Sequence, residues 1–377
     1  MLSRVGPCAR CSLRARRHVS FRQFSLDQSD ESPAAAPPAL KYEADLNLKA
    51  RLLMYAELSK ARLSALVVVT AGAGYAAAGS AVMDPCTFAA LTTGTTLAAC
   101  SANTYNQWIE RDRDKTMKRT CERPLPSGRL SANEALGWGV FSTTASMGIL
   151  MAGTNPLTAG LGAFTIVLYA LPYTLSKPVS EWNTWTGAVV GAIPPVMGWA
   201  AAGGSLLDAE PLLLSSTLFL WQFPHFFSLA WLHRKDYSRG GHQMVPVNDP
   251  DGTRTGNLVF NYSLALLPLP LLAAQLDVTT WMFACEGLAV NSYAVYRAYQ
   301  FKQDRTNDNA RQVFRTSLWY LPLTLGLFLF HRKYPDEKCE SGVLDSAKSS
   351  LSKLCPHEAM VDSGKLCPNV PAVKVVK

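Results

Sequence analysis

The chain has 377 residues, 17% of them charged and 48% hydrophobic, with a formal net charge of +8. Soluble domains carry roughly 25% charged residues, so this composition argues against both a disordered chain and an ordinary soluble α/β enzyme. The placement of the positive charge argues against nucleic acid as a partner. Arg4, Arg10, Arg14, Arg16, Arg17 and Arg22 precede the first acid, Asp27, and the remaining excess sits in short loops between apolar runs.

In chain order, residues 1–40 begin Arg- and Ser-bearing and acid-free, then pass into the spacer SDESPAAAPPAL. The arginines interrupt every candidate for the apolar core of a secretory signal. This pattern predicts a mitochondrial transit peptide and linker, with cleavage between Arg22 and Ala39. Residues 41–331 are predicted to form one membrane domain. Its uncharged runs are Leu63–Met83, Pro85–Ile109, Ala135–Ser176, Trp182–Leu207, Pro211–Leu232, Thr255–Leu276 and Thr316–Phe330, with a weaker segment at Val278–Tyr296. Each is near the ~20 residues that cross a bilayer, and Ala135–Ser176 makes two spans by breaking at Gly153–Pro156. The expectation is an all-α polytopic bundle of nine transmembrane helices around a central cavity open to the matrix side.

The loops alternate in charge as nine spans require. One side receives Lys49, Arg51, Lys60 and Arg62, then the basic residues of Arg111–Arg129, then Lys177, Arg234, Lys235, Arg239, Arg254, Lys302, Arg305 and Arg311. The other side receives SAVMDP, AGTNP, GGSLLDAEP and QLDVTT, without a lysine or arginine. The positive-inside rule places the basic loops in the matrix if the membrane is the inner mitochondrial one. Gly, Ala and Ser crowd the spans and allow close helix approach. Pro194-Pro195 inside a span frees backbone groups that packing or a cavity must satisfy. Residues 332–377 are polar and Ser/Lys-rich, expected to be disordered, with KLCP at 353–356 and again at 365–368 and His357 beside the first copy. That tail is either a weak haem or metal ligand set or a coincidence of low complexity.

The chemistry concentrates in Asn103–Arg129. Asn106, Glu110 and Asp114 fall at i, i+4 and i+8, one face of a helix about 12 Å long. Such groups are costly at the end of a span unless balanced. Hard oxygen donors in this spacing suit Mg²⁺ shared with a substrate's phosphates, and Lys118, Arg119, Arg123 and Arg129 can hold phosphate oxygens. Asp112 and Arg113 lie off the face and read as a solvated ion pair. A second polar region, Trp221–Asn248, supplies His225 on an aromatic span, then Asp236, Tyr237 and Arg239 in the following loop. Asp236 is a candidate second metal ligand or water-orienting carboxylate. His225 is open to three roles: axial haem ligand, proton handler, or buried hydrogen-bonding imidazole. His233 and His242 read as solvated loop residues. A third region, Tyr169–Asn183, brings Tyr173 and Lys177 to the same side. Cys121 reads as incidental, and none of the nine cysteines has zinc-ribbon spacing.

These residues resemble the intramembrane aromatic prenyltransferase family, over most of Tyr55–Phe330. Asn106, Glu110 and Asp114 with Met117, Arg119-Thr120 and Arg123-Pro124-Leu125 resemble its diphosphate–Mg²⁺ motif. WQFPHF at 221–226, DYSRGG at 236–241 and NTWTGAVVGAIPPVMGW at 183–199 are similar to its haem branch rather than its quinone branch. Glu110 stands where many relatives carry Asp. Asp236 lacks the regular carboxylate repeat of quinone-type relatives, which leaves one or two metal ions open.

The resemblance implies farnesyl transfer from farnesyl diphosphate to a vinyl group of haem B with addition of water, giving haem O for the downstream haem A machinery. It implies Mg²⁺ on Asn106, Glu110, Asp114 and Asp236; diphosphate contacts from Lys118, Arg119, Arg123, Lys177 and Arg239; and His225 or Tyr237 positioning the water. The alternatives are a polyprenyltransferase acting on 4-hydroxybenzoate, and a haem-handling membrane protein without catalysis. The absence of an internal repeat and the metal-spaced carboxylates favour an enzyme.

Overall fold

The structure, a computed structural model, describes residues 48–79 and 84–333. The predicted transit peptide and nearly all of the predicted tail, with both KLCP copies and His357, lie outside the described residues. Within them the regular structure is helical, apart from one isolated bridge between Thr279 and Arg332. The helices are α1 (Leu48–Leu58), α2 (Ala61–Ala78), α3 (Pro85–Asp114), α4 (Ala132–Gly153), α5 (Pro156–Leu168), α6 (Thr174–Ser176), α7 (Asn183–Ala201), α8 (Ala209–Leu232), α9 (Arg234–Arg239), α10 (Thr253–Ala265), α11 (Pro268–Gln275), α12 (Trp281–Gln303) and α13 (Asn307–Phe330). A π-helical turn, Tyr169–Tyr173, forms around Pro172 between α5 and α6.

Among the described residues, six helical stretches are long and apolar enough to cross a membrane: Ala61–Ala78, Ala132–Gly153, Pro156–Ser176, Ala209–Leu232, Thr253–Gln275 and Asn307–Phe330. The chain is therefore an all-α polytopic membrane bundle. α3, α7 and α12 are comparably long but less apolar. The solvent logic of a water-soluble protein is inverted. Val140, Phe141, Phe164, Val167, Leu212 and Phe330 are exposed along their helices, while Asn103, Asn106, Gln107, Glu110 and Asp114 of α3 are buried. In a bilayer the outer surface meets hydrocarbon, and polar groups are retained only inside the bundle.

The ends of the elements follow local rules. Asp84 caps α3, accepting from the amides of Cys86 and Thr87, with Pro85 at the first helical position. Ser131 and Glu134 form a capping box on α4. The expected break at Gly153–Pro156 is present: α4 ends at Gly153, and Asn155 caps α5 ahead of Pro156. The first span is shorter than expected, because α2 stops at Ala78 where Gly79 turns left-handed.

α3 packs on α4, α2 on α7, α7 on α8, α8 on α13, and α10 on α12. Small residues make the α2–α7 contact: a Cβ on Gly74 would collide with the Pro195 carbonyl, and one on Gly198 with the Ala71 carbonyl. Here the glycines and the Pro194-Pro195 pair serve close packing.

Candidate active site

The C-terminal half of α3 carries the polar face inward. Asn106, Glu110 and Asp114 are all buried, and each meets a cationic side chain from a different segment. Lys60 Nζ donates to Asn106 Oδ1 at 2.9 Å. Lys177 Nζ lies 2.9 Å from Glu110 Oε1. Arg123 Nη1 donates to Asp114 Oδ2 at 2.7 Å. Asn106 completes its bonding by donating to Glu110 Oε2 at 2.9 Å and to Thr174 Oγ1 at 3.0 Å. Its oxygen therefore points at Lys60, and its amide ties the face to the α5–α6 segment. Asp114 Oδ1 is buried without a hydrogen-bond partner.

Folding brings these cations in from three directions. Arg123 belongs to the turn-rich loop after α3, where Thr120 Oγ1 donates to the Asp114 carbonyl at 3.0 Å. Lys177 follows α6, the π-turn having displaced the helix register around Pro172. Its carbonyl accepts from the Gln243 amide at 2.6 Å, which joins the third polar region to the second. Lys60 sits between α1 and α2 with φ +47, a left-handed conformation unusual for a side-chain-bearing residue. Burial lowers the Lys60 pKa well below the usual lysine value, reinforced by repulsion from Arg123 and Lys177. Burial would lower Lys177 too, but attraction to Glu110 outweighs it and holds that lysine above its ordinary range.

Asp236 and its neighbours form an adjoining cluster. The Arg119 amide donates to Asp236 Oδ2 at 3.3 Å, and Arg239 Nη1 donates to Asp236 Oδ1 at 3.2 Å. Arg119 Nη2 donates to the Tyr237 hydroxyl at 3.0 Å. Thr116 Oγ1 donates to the Arg239 carbonyl at 3.1 Å, so the α3–α4 and α9 loops are bonded directly. Both oxygens of Asp236 thus face cations or amides. Among the described residues no three His, Cys, Asp or Glu side chains gather at metal-ligand spacing. Asp236 accordingly does not join Glu110 and Asp114 as a third carboxylate of one preformed cage. Lys118 is exposed and makes no contact with this assembly.

His225 lies elsewhere. It is on α8 with its ring stacked on Trp221 at 4.8 Å and against Phe314 at 5.0 Å, and Nδ1 shares a hydrogen with Ser317 Oγ at 2.8 Å. None of its contacts reaches the α3 face.

His242 departs from the sequence expectation. It is 2% exposed rather than solvated, with Nδ1 lacking a partner and the ring edge-on to Tyr237. Burial lowers its pKa to about 4, so the imidazole is neutral at physiological pH. The Gly240-Gly241 turn puts it there. Gly241 has φ +69, and a Cβ on Gly240 would press on Met117 Sδ. His233 is half-buried, and burial lowers its pKa as well. Asp112 is exposed, as expected, but its ion pairs are with Lys115 and Arg111 rather than with Arg113. Sequence reasoning counted Lys60 only as a loop charge and passed over Thr174. The helical spacing that exposed Asn106 carries no signal for either.

The UbiA prenyltransferase family model matches residues 66–322. Among individual proteins, the chain is 47% identical over 274 residues to the mitochondrial protoheme IX farnesyltransferase of Homo sapiens, covering 73% of this chain and 61% of the human protein. It is 40% identical over 302 residues to the mitochondrial protoheme IX farnesyltransferase of Arabidopsis thaliana, covering 79% of this chain and 70% of that one. It is 41% identical over 287 residues to the protoheme IX farnesyltransferase of Solibacter usitatus, covering 74% of this chain and 98% of the bacterial one.

Two solved structures share the fold. One, of digeranylgeranylglyceryl phosphate synthase in membranes, superposes with a TM-score of 0.64 at 13% identity, covering 75% of this chain and 98% of that one. The other, a UbiA homolog from Archaeoglobus fulgidus bound to GPP and Mg²⁺, gives 0.57 at 12% identity, covering 73% and 99%. The chain belongs to the UbiA prenyltransferase family.

Proposed function

We propose that this protein transfers a farnesyl group from farnesyl diphosphate to a vinyl group of haem B, with addition of water, to give haem O. The observation that carries this reading is the α3 face. Two buried carboxylates and a carboxamide at helical spacing are surrounded by Lys60, Arg123 and Lys177, three basic groups against two acids, an excess suited to a metal-bound diphosphate, whose negative charge exceeds that of its metal. The choice of haem as acceptor rests on the human, Arabidopsis and Solibacter relatives, each a protoheme IX farnesyltransferase. The reaction would supply the precursor for haem A.

The donor set fits Mg²⁺. Asn106, Glu110 and Asp114 offer hard oxygens, and Asp114 Oδ1 is buried with no hydrogen-bond partner to displace. Only two of the three residues are carboxylates, so phosphate oxygens and water must complete the shell. Mg²⁺ would supply charge neutralisation of the departing diphosphate. Arg119 and Arg123 would donate to its oxygens, and Lys177 would add a point charge. Lys118 and Arg119 are both exposed, but among the described residues only Arg119 has a side-chain partner, the Tyr237 hydroxyl. Asp236 accepts from the Arg119 main-chain amide and pairs with the Arg239 guanidinium, while the Tyr237 hydroxyl holds the Arg119 guanidinium. The allylic carbon, electron-poor as the leaving group departs, is kept from bulk water by the surrounding helices. His225, in its aromatic box, belongs on the acceptor side, and Tyr237 stands closer to where water enters.

α3, α7 and α12 complete nine spans with the six apolar stretches, and the basic loops face the matrix of a mitochondrion. The cavity opens to that side, where the three polar loops converge. Residues 1–40 act as the transit peptide and linker, 41–331 as the catalytic domain and 332–377 as a polar tail.

The test is a product assay in membranes containing the protein, given farnesyl diphosphate, haem B and 4-hydroxybenzoate together. The expected product is a haem heavier by one farnesyl and one hydroxyl group, the remaining proton of water leaving with diphosphate, and it should be lost on adding EDTA. Prenylated 4-hydroxybenzoate without a new haem would move the function to quinone synthesis.

A further inference from the structure

Each oxygen-bearing residue of the α3 face is occupied by a nitrogen. Lys60 holds Asn106, Lys177 holds Glu110 and Arg123 holds Asp114, at 2.9, 2.9 and 2.7 Å. A divalent cation and a protonated amine on the same oxygen repel each other, so a metal arriving at Asn106 Oδ1 must displace Lys60. The displaced amine needs a new acceptor, because a buried cation without one is costly.

Lys60 is built for such a role. Its left-handed backbone would suit glycine, yet the position carries a long cationic side chain directed at Asn106. The strained turn is held from outside. Gln107 Nε2 donates to the Leu58 carbonyl at 2.6 Å, Ser64 Oγ to the Ser59 carbonyl at 2.8 Å, and Trp138 Nε1 to Ser59 Oγ at 3.1 Å. Strain maintained by three surrounding bonds marks a position where the side chain is needed. Tyr169 provides a secondary acceptor for the amine at 3.4 Å.

The geometry points to a cation exchange, resting on the metal–diphosphate reading above: Lys60 is a tethered counter-ion that occupies Asn106 until metal and diphosphate arrive, then passes its hydrogen bonds to the diphosphate oxygens. The side chain swings about its own flexible stem, and no covalent bond changes. Lys177 and Arg123 make the matching exchanges from Glu110 and Asp114. Three cationic side chains thus meet the three negative charges of an ionised diphosphate ester while the α3 oxygens turn to the metal. Metal and diphosphate therefore bind with positive coupling, because either alone leaves one side of the exchange unpaired.

The test uses the full chain purified in detergent, with Mn²⁺ binding read by electron paramagnetic resonance and inorganic pyrophosphate binding by calorimetry. Lys60→Gly removes the amine and suits the left-handed turn; Lys60→Met removes the charge and keeps the stem. In variants that retain the wild-type melting profile, Mn²⁺ alone should bind at least threefold tighter. Pyrophosphate in the presence of Mn²⁺ should bind at least tenfold more weakly. Unchanged or weaker Mn²⁺ binding would overturn the exchange, and so would tighter Mn²⁺ binding with unchanged pyrophosphate affinity. Asp114→Asn run alongside separates the two levels: wild-type Mn²⁺ affinity in that variant would remove the metal-site reading itself.

Discussion

The α3 face and the His225 box are both polar insertions into an apolar bundle, yet they are built on opposite plans. On α3, ionised groups are buried and each is matched by a cation from another segment, with Asp114 Oδ1 left over. Around His225 on α8 the neighbours are Trp221, Phe314 and the Ser317 hydroxyl, with no ionic partner. The first plan suits a ligand that brings its own charge, because the partners already present can be exchanged. The second suits a flat apolar ligand or plain packing. The difference is one of chemistry: exchangeable ion pairs on α3, and aromatic packing with a single neutral hydrogen bond around His225.

The largest effect should come from breaking the ionic plan. Asp114→Asn removes the carboxylate that pairs Arg123, and turnover should fall at least about 100-fold, with haem binding by difference spectroscopy little changed. Lys177→Met strands Glu110 without its ion pair. Breaking a buried pair costs about 3–5 kcal/mol, so detergent-solubilised protein should melt several degrees lower and lose most activity. Arg119→Ala removes one arginine that also holds Tyr237, and pyrophosphate affinity should weaken about tenfold, roughly 1.4 kcal/mol. Lys118→Ala should leave that affinity within about twofold, the small loss expected of an exposed side chain with no partner.

The comparison sharpens at His225. His225→Phe should leave pyrophosphate affinity intact while altering the haem difference spectrum; a large loss of pyrophosphate affinity would join the two regions into one site. His242 offers a pH test. Its folded pKa of about 4 lies below the unfolded value of about 6.5. The folded state therefore resists protonation. Stability is unaffected above about pH 6.5 and declines as pH falls toward 4, by at most about 3 kcal/mol. Melting midpoints of wild type and His242→Gln between pH 7 and 4 should converge or cross as the wild type loses that contribution.

Much of this was legible in the sequence, because the informative signals are local. The i, i+4, i+8 spacing of Asn106, Glu110 and Asp114 needs only a helix to become a face, and Gly153–Pro156 needs only cap chemistry to become a break. Lys60 was not legible as a site residue. In the sequence it is one more basic residue before a span, and its role depends on a left-handed turn held by Ser64 of α2, Gln107 of α3 and Trp138 of α4. His242 differs for the same reason: a polar loop reads as solvated, while the folded loop buries this ring beside Tyr237. Lys118 shares the charge and the loop of Arg119 and is exposed in the structure, a difference in pairing that no local pattern carries. Asp236 was placed in the right loop, while its partners, Arg119 and Arg239, were fixed by the docking of two loops.

The central claim is that the α3 face holds a metal-bound diphosphate. Its most direct measurement is the ³¹P hyperfine coupling to Mn²⁺ in purified protein supplied with farnesyl diphosphate. Wild type should give a protein-bound Mn²⁺ signal with phosphorus coupling, lost in Asp114→Asn although the variant stays folded. The same coupled signal in both proteins would place the metal and diphosphate away from α3 and contradict the account.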